Sequence, residues 1–217
     1  NACYNNYLLK SFFISWRESV IQKEKYKRDA LSMQYETLKS YVNPHFLFNS
    51  LSVLSSLVEK DTQKSQQFIK QLSDIYRYVI EQKDKEVVSL KVEFDFIKSF
   101  IELHRIRHGA NLKVIINVDN LDGYVIPLSL QILVENALKH NIISEEEPLT
   151  ISIVREADNL MVKNNLQVRK TINNTGGIGL ETIQIRYEML SSKPLIIENG
   201  NGCFTVRIPI MPEAHLL

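Results

Sequence analysis

The chain contains the stretch Asn43-Pro44-His45-Phe46-Leu47-Phe48-Asn49-Ser50-Leu51, which predicts a bent helix that presents a histidine. Proline lacks an N–H and its ring crowds the carbonyl one turn back, so a helix that passes through Pro44 is bent or locally opened. His45 follows directly, and Asn49 lies one turn further along the same face. A single histidine in a bent helix is more often a surface or core residue, so its role depends on the rest of the chain.

The composition is that of an ordinary globular protein and gives no sign of a nucleic-acid-binding surface. There are 26 Lys and Arg residues against 25 Asp and Glu residues, which leaves a formal charge of +1. Such a balance gives no global attraction to polyanions, so we expect no direct nucleic-acid partner. Cys3 and Cys203 lie at opposite ends of the chain without ligand-like spacing, which indicates a reducing compartment.

Residues 1–32 predict a membrane-proximal helical linker. Tyr7-Leu8-Leu9 and Phe12-Phe13-Ile14, with Trp16, are typical of an aromatic patch at a membrane interface. No apolar run reaches the ~18 residues that span a bilayer. We therefore expect the chain to be the intracellular end of a membrane protein whose sensor region precedes residue 1. An ordinary amphipathic N-terminal helix explains these residues equally well.

Residues 33–85 predict a helical hairpin that dimerises. Residues 15–59 contain no glycine and are rich in Lys, Glu, Gln and Leu, which favours one long helix. Asp61-Thr62 is a break with a plausible cap, and a second helix runs to about Gln82. Two antiparallel helices bury too little apolar surface to be stable alone, so we expect pairing with a second copy into a four-helix bundle. The apolar stripe after the bend contains Leu47, Leu51, Leu54 and Val58.

Residues 86–217 predict an α+β domain, with a layer of helices on a mixed sheet. Gly109 is expected to end the first helix as its C-cap, and Pro127 to open the next helix as its first residue. The pattern predicts helices at residues 92–107, 127–141 and 179–190, and strands at 112–118, 149–154, 160–163, 195–198 and 204–208.

Two polar clusters in this domain can carry chemistry. On the predicted helix that ends near Asn141, Asn136 and His140 lie one turn apart, as do Glu135 and Lys139. An amide oxygen can ligate Mg²⁺, a lysine can neutralise phosphates, and an imidazole can stack on a base. The second cluster, Thr175–Leu180, places glycines directly before a helix, where backbone N–H groups form an anion cradle. A flexible loop explains the glycines equally well.

The order of these segments resembles the LytS/YehU-type sensor histidine kinases of bacterial two-component systems, over residues 33–210. The resemblance rests on Pro44–Asn49 followed by Glu135-Asn136-Ala137-Leu138-Lys139-His140, and on further matches at Leu72–Tyr78, Ile126–Leu128, Gly177–Leu180 and Arg186-Tyr187. It implies a dimerising helical hairpin followed by an ATP-binding α/β sandwich of the histidine kinase/gyrase type. It also implies a homodimer on the cytoplasmic side of the inner membrane, with a response regulator, of the LytTR type, as partner.

The same resemblance implies roles for individual residues. His45 would accept the γ-phosphoryl group of ATP and pass it to an aspartate of the regulator. Asn136 would hold Mg²⁺, Lys139 would contact phosphates, and His140 would lie against the adenine. Gly177, Gly179 and Leu180 would border the phosphate end of the site.

The sequence departs from the family pattern at two places that matter. In related kinases an aspartate within Asp-x-Gly-x-Gly accepts a hydrogen bond from the adenine amino group. This chain has Asn164-Asn165-Leu166 at the matching place. An Asn164 oxygen can accept the same bond without a charge, which predicts weaker affinity. Phe46 stands where many kinases have an acid after the phosphoacceptor, which leaves Glu135 as the candidate base by residue type.

Other interpretations remain open at this point. Asn49 resembles the amide that orients water for dephosphorylation of the regulator, or it is a polar residue of the dimer core. A catalytically weak or inactive dimeric scaffold that binds a regulator is the main alternative to the kinase. A gyrase-type ATPase would leave the Pro-His-Phe motif unexplained. His104 and His108 have a spacing seen in zinc sites, but no third ligand accompanies them.

Overall fold

The computed structural model describes residues 44–82, 84–169, 178–191 and 193–212. The chain divides into two compact units, residues 1–48 and residues 49–217, so the boundary falls inside the first described helix. The predicted membrane-proximal linker, the helix before Pro44 and the residue Gly177 lie outside the described residues. Within the described ranges, none of the helices has both the length and the apolar character of a bilayer-spanning segment.

The first two helices are α1 (Pro44–Val58) and α2 (Thr62–Gln82). Asp61 caps α2, because its Oδ1 accepts a hydrogen bond from the Lys64 N–H at 2.9 Å. The break at Asp61 and the second helix to Gln82 are therefore confirmed. The predicted bend at Pro44 depends on residues before 44, which are not described.

Helix α2 uses only part of its apolar surface inside the chain. One face packs against the helix that follows it, and the Tyr78 ring stacks on Phe96 with centroids 4.0 Å apart. Ile69 and Ile80 remain exposed on other sides of α2. Its buried apolar residues are Phe68, Ile75, Tyr78 and Val79.

A short strand, β1 (Val88–Ser89), leads into helix α3 (Leu90–His108). The Ser89 side chain accepts a hydrogen bond from the Val92 N–H and caps α3. Gly109 ends α3 at φ +59°, in the left-handed region that suits glycine, so the predicted C-cap is confirmed. A 3₁₀ turn, Gly109–Asn111, follows. The apolar side of α3 is buried and includes Phe94, Ile97, Ile101 and Leu103.

The main sheet has five strands in the order β2-β4-β5-β7-β6. Strand β2 is parallel to β4, and the other neighbours are antiparallel. The mixed sheet and the α+β class are thus confirmed. A separate antiparallel pair joins β1 to β3. The strands are β2 (Leu112–Asn117), β3 (Tyr124–Val125), β4 (Leu149–Glu156), β5 (Asn159–Asn165), β6 (Ile196–Gly200) and β7 (Cys203–Pro209).

Helices α4 (Ser129–His140) and α5 (Ile178–Leu190) complete the domain. Pro127 was expected to be the first residue of α4, and that prediction is wrong. Leu128, which follows Pro127, has φ +66°, outside the right-handed helical region. The helix therefore cannot begin at Pro127 and begins at Ser129. The buried residues of the domain include Leu130, Leu133, Val134, Ile151, Ile153, Leu160, Val162 and Tyr187.

Candidate functional site

Helix α4 has one apolar side and one polar side. Leu130, Leu133 and Val134 are buried in the core and fix the orientation of the helix. On the other side, Lys139 is exposed, and Glu135, Asn136 and His140 are half-buried. The structure therefore brings these four predicted residues together along about one and a half turns of a rigid helix.

Glu135 is held by a neighbour on its own helix. Its Oε1 accepts a hydrogen bond from Gln131 Nε2 at 2.9 Å. Burial raises the pKa of Glu135, and the Gln131 hydrogen bond and the charge of Lys139 oppose that rise. The carboxylate thus has a fixed position beside Asn136.

Asn136 is the residue on this face with an unused amide. Its side chain is half-buried and makes no hydrogen bond within the part of the chain that the structure describes. Its oxygen is therefore available to a ligand, and a neutral amide oxygen is among the ligands that Mg²⁺ accepts. The residue fits the metal-binding role that the family resemblance implies.

The start of α5 lies against α4. A Cβ added at Gly179 would be 3.1 Å from Cγ2 of Ile132, so the absence of a side chain allows this close approach. Leu180 follows in the first turn and is half-buried. The structure thus places Gly179 and Leu180 beside the helix that carries Asn136, while Gly177 lies outside the described residues.

Asn164 lies near the end of β5, on the buried side of the strand. It is 4% exposed and shares its face with Leu160 and Val162, which are buried in the core. Its Nδ2 donates to the Asn165 carbonyl at 2.6 Å, and within the described residues its Oδ1 accepts no hydrogen bond. The side-chain oxygen of Asn165 instead accepts from the Thr150 N–H. The side-chain oxygen of Asn164, unlike that of Asn165, therefore remains available as an acceptor.

Asn141 was missed as a site-building residue. It is buried, and its Nδ2 donates to the Ala137 carbonyl at 2.8 Å while its Oδ1 accepts from the Gln167 N–H at 2.7 Å. Arg169 Nε donates to the Asn141 carbonyl at 2.8 Å. The side chain thus ties the chain after β5 to the end of α4. An asparagine directly after the last helical residue was the only signal in the sequence.

His45 and Asn49 both lie on α1. Asn49 is half-buried, and it follows His45 by one helical turn. His45 belongs to the first compact unit, whereas the α4 residues belong to the second.

The histidine pair of α3 is part of the packing of that helix. The His104 and His108 rings are stacked with centroids 6.1 Å apart. Burial, together with the charges of His108 and Arg107, lowers the pKa of His104 to about 3, so the ring is neutral. Across the described ranges, no group of three or more His, Cys, Asp and Glu side chains is arranged to hold a metal ion.

An open cleft of about 770 Å³ lies elsewhere on the domain and includes none of the predicted site residues. Three of its charged side chains are already engaged with one another or with the backbone. Lys193 pairs with Asp158 at 3.0 Å, and Arg155 donates to the carbonyls of Asn120 and Asp122. We therefore assign this cleft no part in the site.

The comparisons with known proteins find similarity to histidine kinases. Residues 33–112 match the family model described as histidine kinase. The sensor histidine kinase YpdA of Escherichia coli K12 is 38% identical over 133 residues, which cover 61% of this chain and 24% of that protein. The sensor protein LytS of Staphylococcus saprophyticus is 33% identical over 115 residues, which cover 52% of this chain and 19% of that protein. This chain is thus similar to LytS-type sensor histidine kinases, as its sequence predicts.

The chain spans only a small part of these relatives, no more than about a quarter of the length of the two proteins above. Among solved structures, the nucleotide-free catalytic domain of histidine kinase ThkA is similar with a TM-score of 0.42 and 20% identity. That similarity covers 58% of this chain and 97% of the solved domain.

Proposed function

We propose that the chain is the kinase portion of a two-component sensor, in which His45 takes the γ-phosphoryl group of ATP and passes it to an aspartate of a response regulator. One observation carries the proposal. Helix α4 presents Glu135, Asn136 and Lys139 on one accessible side, while its opposite side is fixed in the core. An amide oxygen and a lysine on a rigid helix suit a metal-bound triphosphate.

The residues of the second unit would bind the nucleotide. Asn136 would hold Mg²⁺ through its unused amide oxygen, and the metal would neutralise charge on the phosphates. Lys139 would contact the phosphates, and His140 would lie against the adenine. Asn164 would accept the adenine amino group with its remaining oxygen. Gly177, Gly179 and Leu180 would border the phosphate end.

The transfer itself needs little chemistry from the protein beyond positioning. An imidazole nitrogen of His45 would form a bond to the γ-phosphorus, the bond from that phosphorus to the β,γ-bridging oxygen would break, and ADP would leave. Glu135 would take the proton that His45 loses. Asn49, one turn after His45, would orient the water that dephosphorylates the regulator.

The partners follow from the same proposal. In the single chain, Leu51 and Val58 of α1 and Ile69 and Ile80 of α2 are exposed apolar residues. A second copy would cover such residues in a four-helix bundle, which makes the active form a homodimer. The regulator would be of the LytTR type. The chain would lie on the cytoplasmic side of the inner membrane, attached through an N-terminal sensor region.

Asn164 also supports a second candidate function, a dimeric scaffold that binds a regulator and turns over ATP weakly or not at all. The adenine acceptor is a neutral amide, and its nitrogen is already bonded to the Asn165 carbonyl. A neutral hydrogen bond is weaker than a charge-assisted one by roughly 1–2 kcal/mol.

Replacing Asn164 by aspartate should tighten ATP binding by about tenfold, because the acceptor gains a charge. The same change should lower the stability of the nucleotide-free protein, because Asn164 is 4% exposed and a carboxylate there is poorly solvated. Titration calorimetry with ATP and Mg²⁺ measures the first effect, and urea unfolding measures the second. Asn165→Asp is the control, since that side chain is bonded to the backbone of Thr150 and Pro148. Unchanged affinity in Asn164→Asp would remove Asn164 from the adenine site.

Incubation with γ-labelled ATP and Mg²⁺ tests the kinase proposal. We expect a phosphoprotein that is stable in base and labile in acid, as a phosphohistidine is. The label should be absent from His45→Gln and retained in His108→Gln, which removes a histidine of α3. ATP bound without any label would support the scaffold. Free phosphate without phosphoprotein would indicate a gyrase-type ATPase.

A further inference from the structure

The N-terminus of α4 is capped by a residue from another helix. Leu128 occupies the N-cap position with φ +66°, and it makes no side-chain capping bond. The first N–H groups of a helix need acceptors from outside the helix. Glu93 of α3 supplies them, since its Oε2 accepts from the Leu128 N–H at 3.1 Å and its Oε1 from the Leu130 N–H at 3.0 Å. A carboxylate at this end also complements the helix dipole.

The same carboxylate is bonded to α2. The Tyr78 hydroxyl donates to Oε2 of Glu93, and both residues are buried. Stacking on Phe96 fixes the Tyr78 ring, so the hydroxyl can reach Glu93 only when α2 packs in this position against α3. One buried acid therefore connects the second helix of the hairpin to the start of the helix that carries Asn136.

We propose that Glu93 is a positioning residue, which couples the packing of α2 to the nucleotide-binding face of α4 through the Tyr78 hydroxyl. The inference rests on the proposed function, because it assumes that Glu135, Asn136 and Lys139 bind nucleotide. Helix α4 is rigid, so a shift of its capped end moves those side chains as a body. A signal that moves α2 would thus change the affinity for ATP without a contact between α2 and the nucleotide.

The charge state of Glu93 is part of this coupling. Burial raises the pKa of Glu93 to about 7, and the hydrogen bonds from Tyr78, Leu130 and Leu128 oppose that rise. The other titratable groups that act on it come from α5, where Arg186 favours the carboxylate and Tyr187 lies close by. Loss of the Tyr78 hydroxyl should therefore raise the pKa of Glu93 further. A neutral acid caps α4 more weakly than a carboxylate does.

The test compares ATP affinity across pH in four forms of the full chain: wild type, Tyr78→Phe, Glu93→Gln and Tyr124→Phe. In wild type the affinity should rise with pH through about 7, as Glu93 ionises. In Tyr78→Phe, which keeps the ring, the midpoint of that rise should move to higher pH, and the affinity near neutral pH should fall by about tenfold. Glu93→Gln should lack this rise. Tyr124→Phe, which removes a hydroxyl that makes no hydrogen bond within the described residues, should match wild type.

The outcomes separate this inference from the proposed function. If Tyr78→Phe lowers the stability but leaves the midpoint and the affinity unchanged, Glu93 has only a structural role and the inference is overturned. If wild type does not bind ATP, the proposed function fails, and amide hydrogen exchange of α4 decides the coupling alone. Faster exchange at Leu130 in Tyr78→Phe would then support it, and unchanged exchange would refute it.

Discussion

Replacing Asn136 by aspartate should lower the rate of His45 phosphorylation by about a hundredfold and change the free energy of unfolding by less than about 1 kcal/mol. The two side chains have nearly the same shape, so packing is kept. The change places a second negative charge beside Glu135, on the face that would receive the triphosphate. The stability should not depend on the amide, because it makes no hydrogen bond within the described part of the chain.

Two measurements decide the result for Asn136→Asp. The rate of labelling from γ-labelled ATP gives the catalytic effect, and urea unfolding gives the free energy of unfolding. Asn159→Asp is the matched control, because it makes the same chemical change away from the proposed site. Asn159 lies at the opposite end of β5 from Asn164. A loss of labelling that only follows a loss of folded protein would show that Asn136 is a structural residue.

The order of the main elements was predictable because their apolar residues repeat with a clear period. Strands β4 and β5 alternate buried and accessible positions, and α4 places polar residues one turn apart. The two-residue strands β1 and β3 carry no such period. They pair because the fold brings Val88 opposite Val125, which is a long-range contact without a local signal.

The start of α4 could not be predicted for a similar reason. Pro127 is a good first residue of a helix by local rules, but the left-handed Leu128 intervenes. The acceptor for the Leu128 N–H is Glu93, 35 residues earlier in the chain. In the sequence, Glu93 is only an acidic residue in the first turn of a helix, a position that is commonly exposed. Its burial and its partners exist only in the folded chain.

The apolar surface of α2 shows a further limit of sequence patterns. Its periodicity indicates that some face is covered, but not by what. In the structure Phe68, Ile75 and Val79 are buried within the chain, while Ile69 and Ile80 are left exposed. One helix thus has both an intramolecular packing face and a surface that suits a second copy, and its helical pattern does not separate the two.

Replacing Glu93 by glutamine should change how stability depends on pH. The pKa of Glu93 is raised to about 7 in the folded protein from an ordinary value of 4.5, so between these values the folded state binds more protons than the unfolded state. The stabilisation from the neutral acid is complete below about pH 4.5 and is lost as the pH rises through about 7. Glutamine does not titrate. The stability of Glu93→Gln relative to wild type should therefore rise by roughly 3 kcal/mol across this range.

His104 makes the stability depend on pH in the opposite direction to Glu93. The effect of Glu93 is therefore measured as the difference between wild type and Glu93→Gln. Its pKa is lowered to about 3 from 6.5, so its contribution to stability is complete above about pH 6.5 and is lost as the pH falls. In wild type the two slopes oppose each other between about pH 4.5 and 6.5, each by up to about 1.4 kcal/mol per pH unit. In Glu93→Gln the Glu93 contribution is absent and the His104 contribution remains.

Urea unfolding of the two proteins across this pH range measures the difference. Glu102→Gln is the control, because Glu102 is also on α3 but its side chain is 47% exposed, and it should keep the wild-type profile. If the free energies of unfolding of wild type and Glu93→Gln differed by the same amount at every pH, the difference would report only altered hydrogen bonds. The hydrogen bonds of a glutamine do not depend on pH. Parallel profiles would therefore mean that Glu93 does not change its ionisation in this range. The carboxylate would then cap α4 at every pH at which the protein folds, and any regulation would have to come from the movement of Tyr78 alone.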